Sequence, residues 1–206
     1  MTATTFALFG TLVDADFPDD PATAVAEELA ARDVAVPDDW ATAYAETHVD
    51  APAGAEVPLP AHVSAALSSR GVDAPNNAPR RAAVAAFDPE VETREGAVDA
   101  VAAAAERGPV GIVADAAAPE LVRRTLIRAA VDRESFDAIV SSAACGWQKS
   151  HPRAFETAAR RLDVDPNELV HVGSDGADAG VERVDGTFLD CREASLPVIA
   201  RRLGEL

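Results

Sequence analysis

Residues 5–14 read TFALFGTLVD. An apolar run passing straight into Gly-Thr-Leu predicts a buried strand, over about residues 4–9, that ends in a loop suited to hold a phosphate. The acidic groups that would do chemistry at such a loop are missing, and Asp14 comes only after the turn is complete.

The residues that follow define the rest of the layout. From Asp14 to Arg94 the pattern is helical and broken by proline. Asp20 and Pro21 open a helix running through Ala31, Pro37 opens one carrying Trp40, Tyr44 and His48, Pro60 opens a third, and residues 80–87 form a fourth. After Gly96 helix and strand alternate. Helix 96–107 leads to PVGIVAD (109–115), helix 119–131 to FDAIVSS (136–142) and helix 152–162 to ELVHVGSD (168–175). TFLD (187–190) precedes a last helix to Leu203. Short apolar runs separated by helices predict a parallel sheet covered on both faces, an α/β fold. The helical block after strand 1 would then sit over the carboxyl ends of the strands, where such sheets bind ligands.

Composition narrows the partners. Of 206 residues, 35 are Asp or Glu against 18 Lys or Arg, a formal charge of −17. A field that negative repels nucleic acid and anionic membrane, and no apolar run reaches the ~18 residues of a membrane span. The N-terminus shows no basic segment or cleavage site, which points to the cytoplasm. Cys145 and Cys191 lack metal-ligand spacing and read as free thiols in a reducing compartment. Lys149 is the only lysine. Acid-rich and nearly lysine-free, the chain matches the cytoplasmic proteins of extreme halophiles, although a codon bias favouring Ala and Arg gives a similar composition.

With these features in order, the chain resembles the haloacid dehalogenase superfamily, in the subclass with a helical cap after strand 1. The resemblance rests on GTLVD, the helical insert, EGAVDAVAAAAERGPVGIVAD, KSHPRAF (149–155) and LVHVGSDGADAG, which cover the chain from end to end. It implies a three-layer, Rossmann-like parallel-sheet core at 1–13 and 95–206 and a cap at 14–94.

It also implies a site. Family members transfer phosphoryl groups with an aspartate nucleophile, a second aspartate as acid and base, a Ser or Thr, a Lys, and one or two Asp that hold Mg²⁺. Carried over by position, Gly10 and Thr11 keep the phosphate loop and Lys149 the cation. The nucleophile position is Ala7, the acid/base position Phe9, the hydroxyl position Ala114, and Ser174 stands where a metal-binding Asp is expected. Asp178 and a displaced Asp175 remain as weak magnesium candidates; otherwise no cofactor is expected. Alanine cannot attack phosphorus and phenylalanine cannot transfer a proton. Loss of a covalent nucleophile costs on the order of 10⁴–10⁶-fold in rate.

Two readings of Lys149 stay open. It is either part of an anion site with Gly10, Thr11 and Ser174, or a buried ion pair with Asp178 or Asp175 that joins the strand ends. The functional expectation is a degenerate member that binds a small phosphorylated molecule or inorganic anion, or acts as an interaction module with a protein partner or as a homodimer. The alternatives are a hydrolase rearranged around Lys149, Asp175 and Asp178, and a structural dimer subunit. A Cys145–His151 nucleophilic pair is a further, weaker arrangement, and His171 reads as a hydrogen-bonded core residue.

Overall fold

Residues 2–205 of the chain are described by a computed structural model. In chain order the elements are β1 (Ala3–Phe6), β2 (Val13–Ala15), α1 (Pro21–Ala30), α2 (Trp40–Ala45), α3 (Leu59–Ser69), α4 (Ala78–Ala86), β3 (Val91–Thr93), α5 (Ala97–Ala105), β4 (Val110–Ala114), α6 (Leu121–Arg128), β5 (Ala138–Ser141), α7 (Ser142–Cys145), α8 (Pro152–Leu162), β6 (Leu169–Gly173), β7 (Thr187–Asp190) and α9 (Leu196–Glu205). A short 3₁₀ segment at Asp178–Val184 follows β6.

Every residue of β1, β4 and β6 is buried, as strands covered on both faces require. They form the centre of a parallel sheet ordered β5-β4-β1-β6-β7. Parallel neighbours need long crossovers, here supplied by helices. Phe155, Ala158 and Leu162 of α8 pack with Val113, Val140 and Leu169 on one face. On the other, α5, α6 and α9 contribute Ala100, Leu126 and Ile199 to a cluster shared with Phe6, Ile112 and Val172. The result is three layers, an α/β Rossmann-like core. Among the described residues no helix is long and apolar enough to cross a membrane.

The stretch set in after strand 1 is helical in its middle and stranded at its ends. β2 and β3 pair antiparallel, with Val13 opposite Thr93, where an all-helical segment from Asp14 was expected. Both strands are three residues long and carry exposed Asp14 and Glu92, so neither shows an apolar period. Between them Val25, Leu29, Trp40, Val63, Leu67 and Ala82 bury one another. The Trp40 indole N–H donates to the Ala22 carbonyl at 2.8 Å. The loop between α2 and α3 docks on loops that follow β4 and β5: Leu59 N–H donates to Ala117 O at 3.0 Å and Glu56 N–H to Gly146 O at 2.9 Å.

Some boundaries move. β1 ends at Phe6 rather than residue 9, because the chain curls into a turn in which the Leu12 and Val13 N–H groups both donate to Leu8 O. α6 spans 121–128 rather than 119–131, stopped by the left-handed Glu120 at one end and the extended Ala129 at the other. α2 ends at Ala45, so His48 lies beyond it and hydrogen-bonds Ala43 O through Nε2 at 2.6 Å.

Candidate functional site

The turn after β1 is closed upon itself. Ala7 is fully buried and its N–H donates across to Val172 O at 2.8 Å. Gly10 takes φ +71°, a conformation that favours glycine, and its N–H is committed to Val13 O at 2.7 Å. Arg94 donates to the Gly10 carbonyl. Buried Thr11 donates its hydroxyl to Ser174 Oγ at 3.2 Å. The Phe9 ring sits edge-on to Phe17 with centroids 5.2 Å apart, and Phe17 reaches Phe87 at 6.3 Å. Asp14 lies on β2, beyond the turn, 64% exposed and 3.8 Å from Arg94.

Across the strand ends stands a cluster built around Lys149. Its backbone N–H donates to Asp115 Oδ1 at 2.8 Å, which anchors the loop before α8 to the end of β4. Its side chain is 5% exposed, with Nζ 2.5 Å from Asp178 Oδ1 and 3.4 Å from Asp175 Oδ2. Asp178 Oδ2 accepts the Ser174 and Asp175 N–H groups at 2.8 and 3.0 Å. Its Oδ1 also receives Nε2 of His171 at 3.1 Å, and Thr5 Oγ1 stands 2.9 Å from His171 Nδ1. Thr5 and His171 face each other in the β1–β6 register, which aligns this chain of contacts across the sheet.

The electrostatics follow from the packing. Burial pushes His171 below its ordinary pKa, outweighing the opposite pull of Asp178. A neutral imidazole then donates from Nε2 to Asp178 and accepts the Thr5 hydroxyl at Nδ1. Burial raises the Asp178 carboxyl, yet its contacts with His171 and Lys149 overcome this and hold it well below the usual carboxylate range. Burial alone would lower the Lys149 ammonium, but Asp178 and Asp175 lift it above its ordinary value. Burial pushes Asp115 up. Two glycines permit the approach: a Cβ at Gly180 would meet Lys149 O at 1.9 Å, and one at Gly173 would meet Asp178 Cγ at 2.3 Å.

Asp178 is poorly placed to hold magnesium. A carboxylate offers about four lone-pair sites, and Asp178 already accepts from Lys149, His171 and two amides. Asp175 accepts from Ala177 and Asp178 N–H on Oδ1 and from Lys149 on Oδ2. An octahedral ion at about 2.0–2.1 Å on Asp178 would have to displace its bonds. Among the described residues no group of three or more His, Cys, Asp or Glu is placed to hold a metal.

Other expected groups are dispersed. The Cys145 thiol lies 3.2 Å from Trp147 O, and burial raises its pKa. The His151 ring lies tilted against Trp147 with centroids 4.1 Å apart, and its Nδ1 accepts the Arg153 N–H at 3.2 Å. Cys145 and His151 are each engaged with Trp147 or its neighbours, and form no nucleophile–base pair. Ala114 is buried at the end of β4. The structure adds Thr5, His171 and Asp115 to the Lys149 group.

A five-stranded parallel sheet flanked by helices makes this an α/β, Rossmann-like protein, with a mainly helical segment set in after its first strand and a Lys–Asp cluster at the strand ends. The chain belongs to the haloacid dehalogenase-like hydrolase family, whose model matches residues 5–181. Solved structures agree on the fold. A 2-haloacid dehalogenase from Pseudomonas syringae pv. tomato DC3000 is 18% identical with a TM-score of 0.63, over 95% of this chain and 88% of that one. CbbY from Rhodobacter sphaeroides, in complex with phosphate, is 20% identical with a TM-score of 0.58, over 92% and 87%. A phosphatase of the family from Thermococcus onnurineus is 16% identical with a TM-score of 0.57, over 92% and 86%. No curated protein matches the sequence.

Proposed function

We propose that this chain keeps the family fold without the family's covalent phosphoryl transfer, and recognises a small phosphorylated molecule or inorganic anion rather than turning it over. One observation carries the first half: where the resemblance places two aspartates, the turn after β1 holds a buried Ala7 and a Phe9 packed on Phe17. The next acidic residue in the chain, Asp14, lies on β2 and is 64% exposed. A displacement of even ~1 Å costs about 10²-fold, so rescue from β2 is out of reach.

The ligand class comes by likeness from the phosphate-bound relative. Its place is not the Lys149 cluster. One ammonium stands there with the carboxylates of Asp115, Asp175 and Asp178, a charge of −2 when all are ionised, and the Gly10 amide is already bonded. Lys149 then serves as the buried tie between the end of β4 and the loop after β6, and residues 14–94 act as a cap on the rest.

The test is hydrolysis of a panel of phosphate esters in concentrated KCl with Mg²⁺. The proposal expects no release above the buffer blank. Magnesium-dependent release that co-elutes with the protein would revive the rearranged hydrolase.

A further inference from the structure

Seventeen arginines and one lysine, Lys149, make up the Lys and Arg of a molecule of formal charge −17. Four of these arginines converge. Arg32 follows α1, Arg80 and Arg81 lie on α4 and Arg124 on α6, and all four line one cavity of about 360 Å³. Asp88 and Glu120 are the acidic residues in its wall. In the lining itself four guanidinium groups stand against two carboxylates. The lining shares no residue with the Lys149 cluster.

The carboxylates do not use up the arginines. Glu120 takes Arg80 at 2.6 Å, and Asp88 takes Arg124 at 2.7 Å together with Arg128 at 2.6 Å. Among the described residues Arg81 has no carboxylate partner. Arg32 pairs with Glu28 through Nη1, while its Nε is buried with no hydrogen-bond acceptor among the described residues. The Nε of Arg124 is orphaned in the same way. Both Nε atoms are shielded from solvent and do not open on the cavity; its excess of arginine over carboxylate and the unpaired Arg81 are what suit it to an anion. Guanidinium forks match the paired oxygens of a phosphate group, and the cavity volume suits a small metabolite.

We infer that this cavity binds a small phosphorylated molecule or inorganic phosphate. Arg32, Arg80 and Arg81 come from the helical insert and Arg124 from the sheet's own layer, so the ligand braces one against the other. The inference rests on the reading that the chain recognises an oxyanion, and adds where.

Calorimetric titration with inorganic phosphate, against KCl of matched ionic strength, tests it on the whole chain. Wild type, Arg81→Ala and Glu120→Gln are compared with Lys149→Met and, because that change destabilises, Ser174→Ala. Saturable binding is expected, weakened about tenfold by Arg81→Ala through loss of a charged hydrogen bond. Glu120→Gln should tighten it by removing a competing carboxylate, and Ser174→Ala should leave it unchanged. Binding that Ser174→Ala or Lys149→Met weakens and Arg81→Ala does not would overturn the cavity while keeping the oxyanion reading. Absence of saturable binding would overturn both.

Discussion

Lys149→Met keeps the length and apolar stem of the side chain and removes only the ammonium. Asp178 is then left ionised at a site where it is almost fully shielded from water. Removing one partner of a buried pair costs about 3–5 kcal/mol, most of it from the charge left uncompensated. Two amides and His171 still donate to Asp178, which places the expected loss near the low end, about 3 kcal/mol. For a chain of this size 1 kcal/mol moves the melting temperature by roughly 2–4 °C, so a fall of about 6–12 °C should appear in calorimetric scans in concentrated KCl. The double variant Lys149→Met/Asp178→Asn should lose less than the sum of the single changes, by more than about 1 kcal/mol. A change within about 0.5 kcal/mol for Lys149→Met, or strict additivity, would refute the tie and return Lys149 to the pool of groups free to bind a ligand.

Three further outcomes follow from the same geometry. His171 is buried and its folded pKa is lowered, so below the ordinary value near 6.5 the unfolded chain binds the extra proton. Stability should therefore decline as pH falls through that value, by at most ~1.4 kcal/mol per unit, in urea melts, with the slope reduced in His171→Gln. Asp178, depressed in the fold, adds a second loss as pH falls below about 4. Gly180→Ala would drive a Cβ into the Lys149 carbonyl, and urea melts should show a loss of about 1–3 kcal/mol or more. Burial pushes the Cys191 thiol to about 11, so iodoacetamide near pH 8 should label it about two orders of magnitude more slowly in the native than in the unfolded protein.

The sheet was legible because strands covered on both faces leave nearly continuous apolar runs, as VGIVA does and LVHVG does but for His171. β2 and β3 were not, since three residues that alternate buried and exposed carry too little pattern to separate a ribbon from a helix end. At the site, Lys149 stood out by its rarity and Asp178 by its spacing from Gly173. The Thr5–His171–Asp178 relay was hidden because Thr5 and His171 lie 166 residues apart, and only the β1–β6 register brings them together. The arginine cavity was hidden for the same reason. Its members come from three separate helical segments, and neither their local sequence nor the family pattern joins Arg32 to Arg124.

Ala7 leaves the turn after β1 without a nucleophile at the position where the family attacks phosphorus. Incubating the protein with Mg²⁺ and a reactive phosphoryl donor such as acetyl phosphate, quenching in acid and recording the intact mass reads this in one step. An unchanged mass is the predicted result. A hydroxylamine-labile gain of one phosphoryl group would show that a carboxylate elsewhere has taken over the attack, and would contradict it.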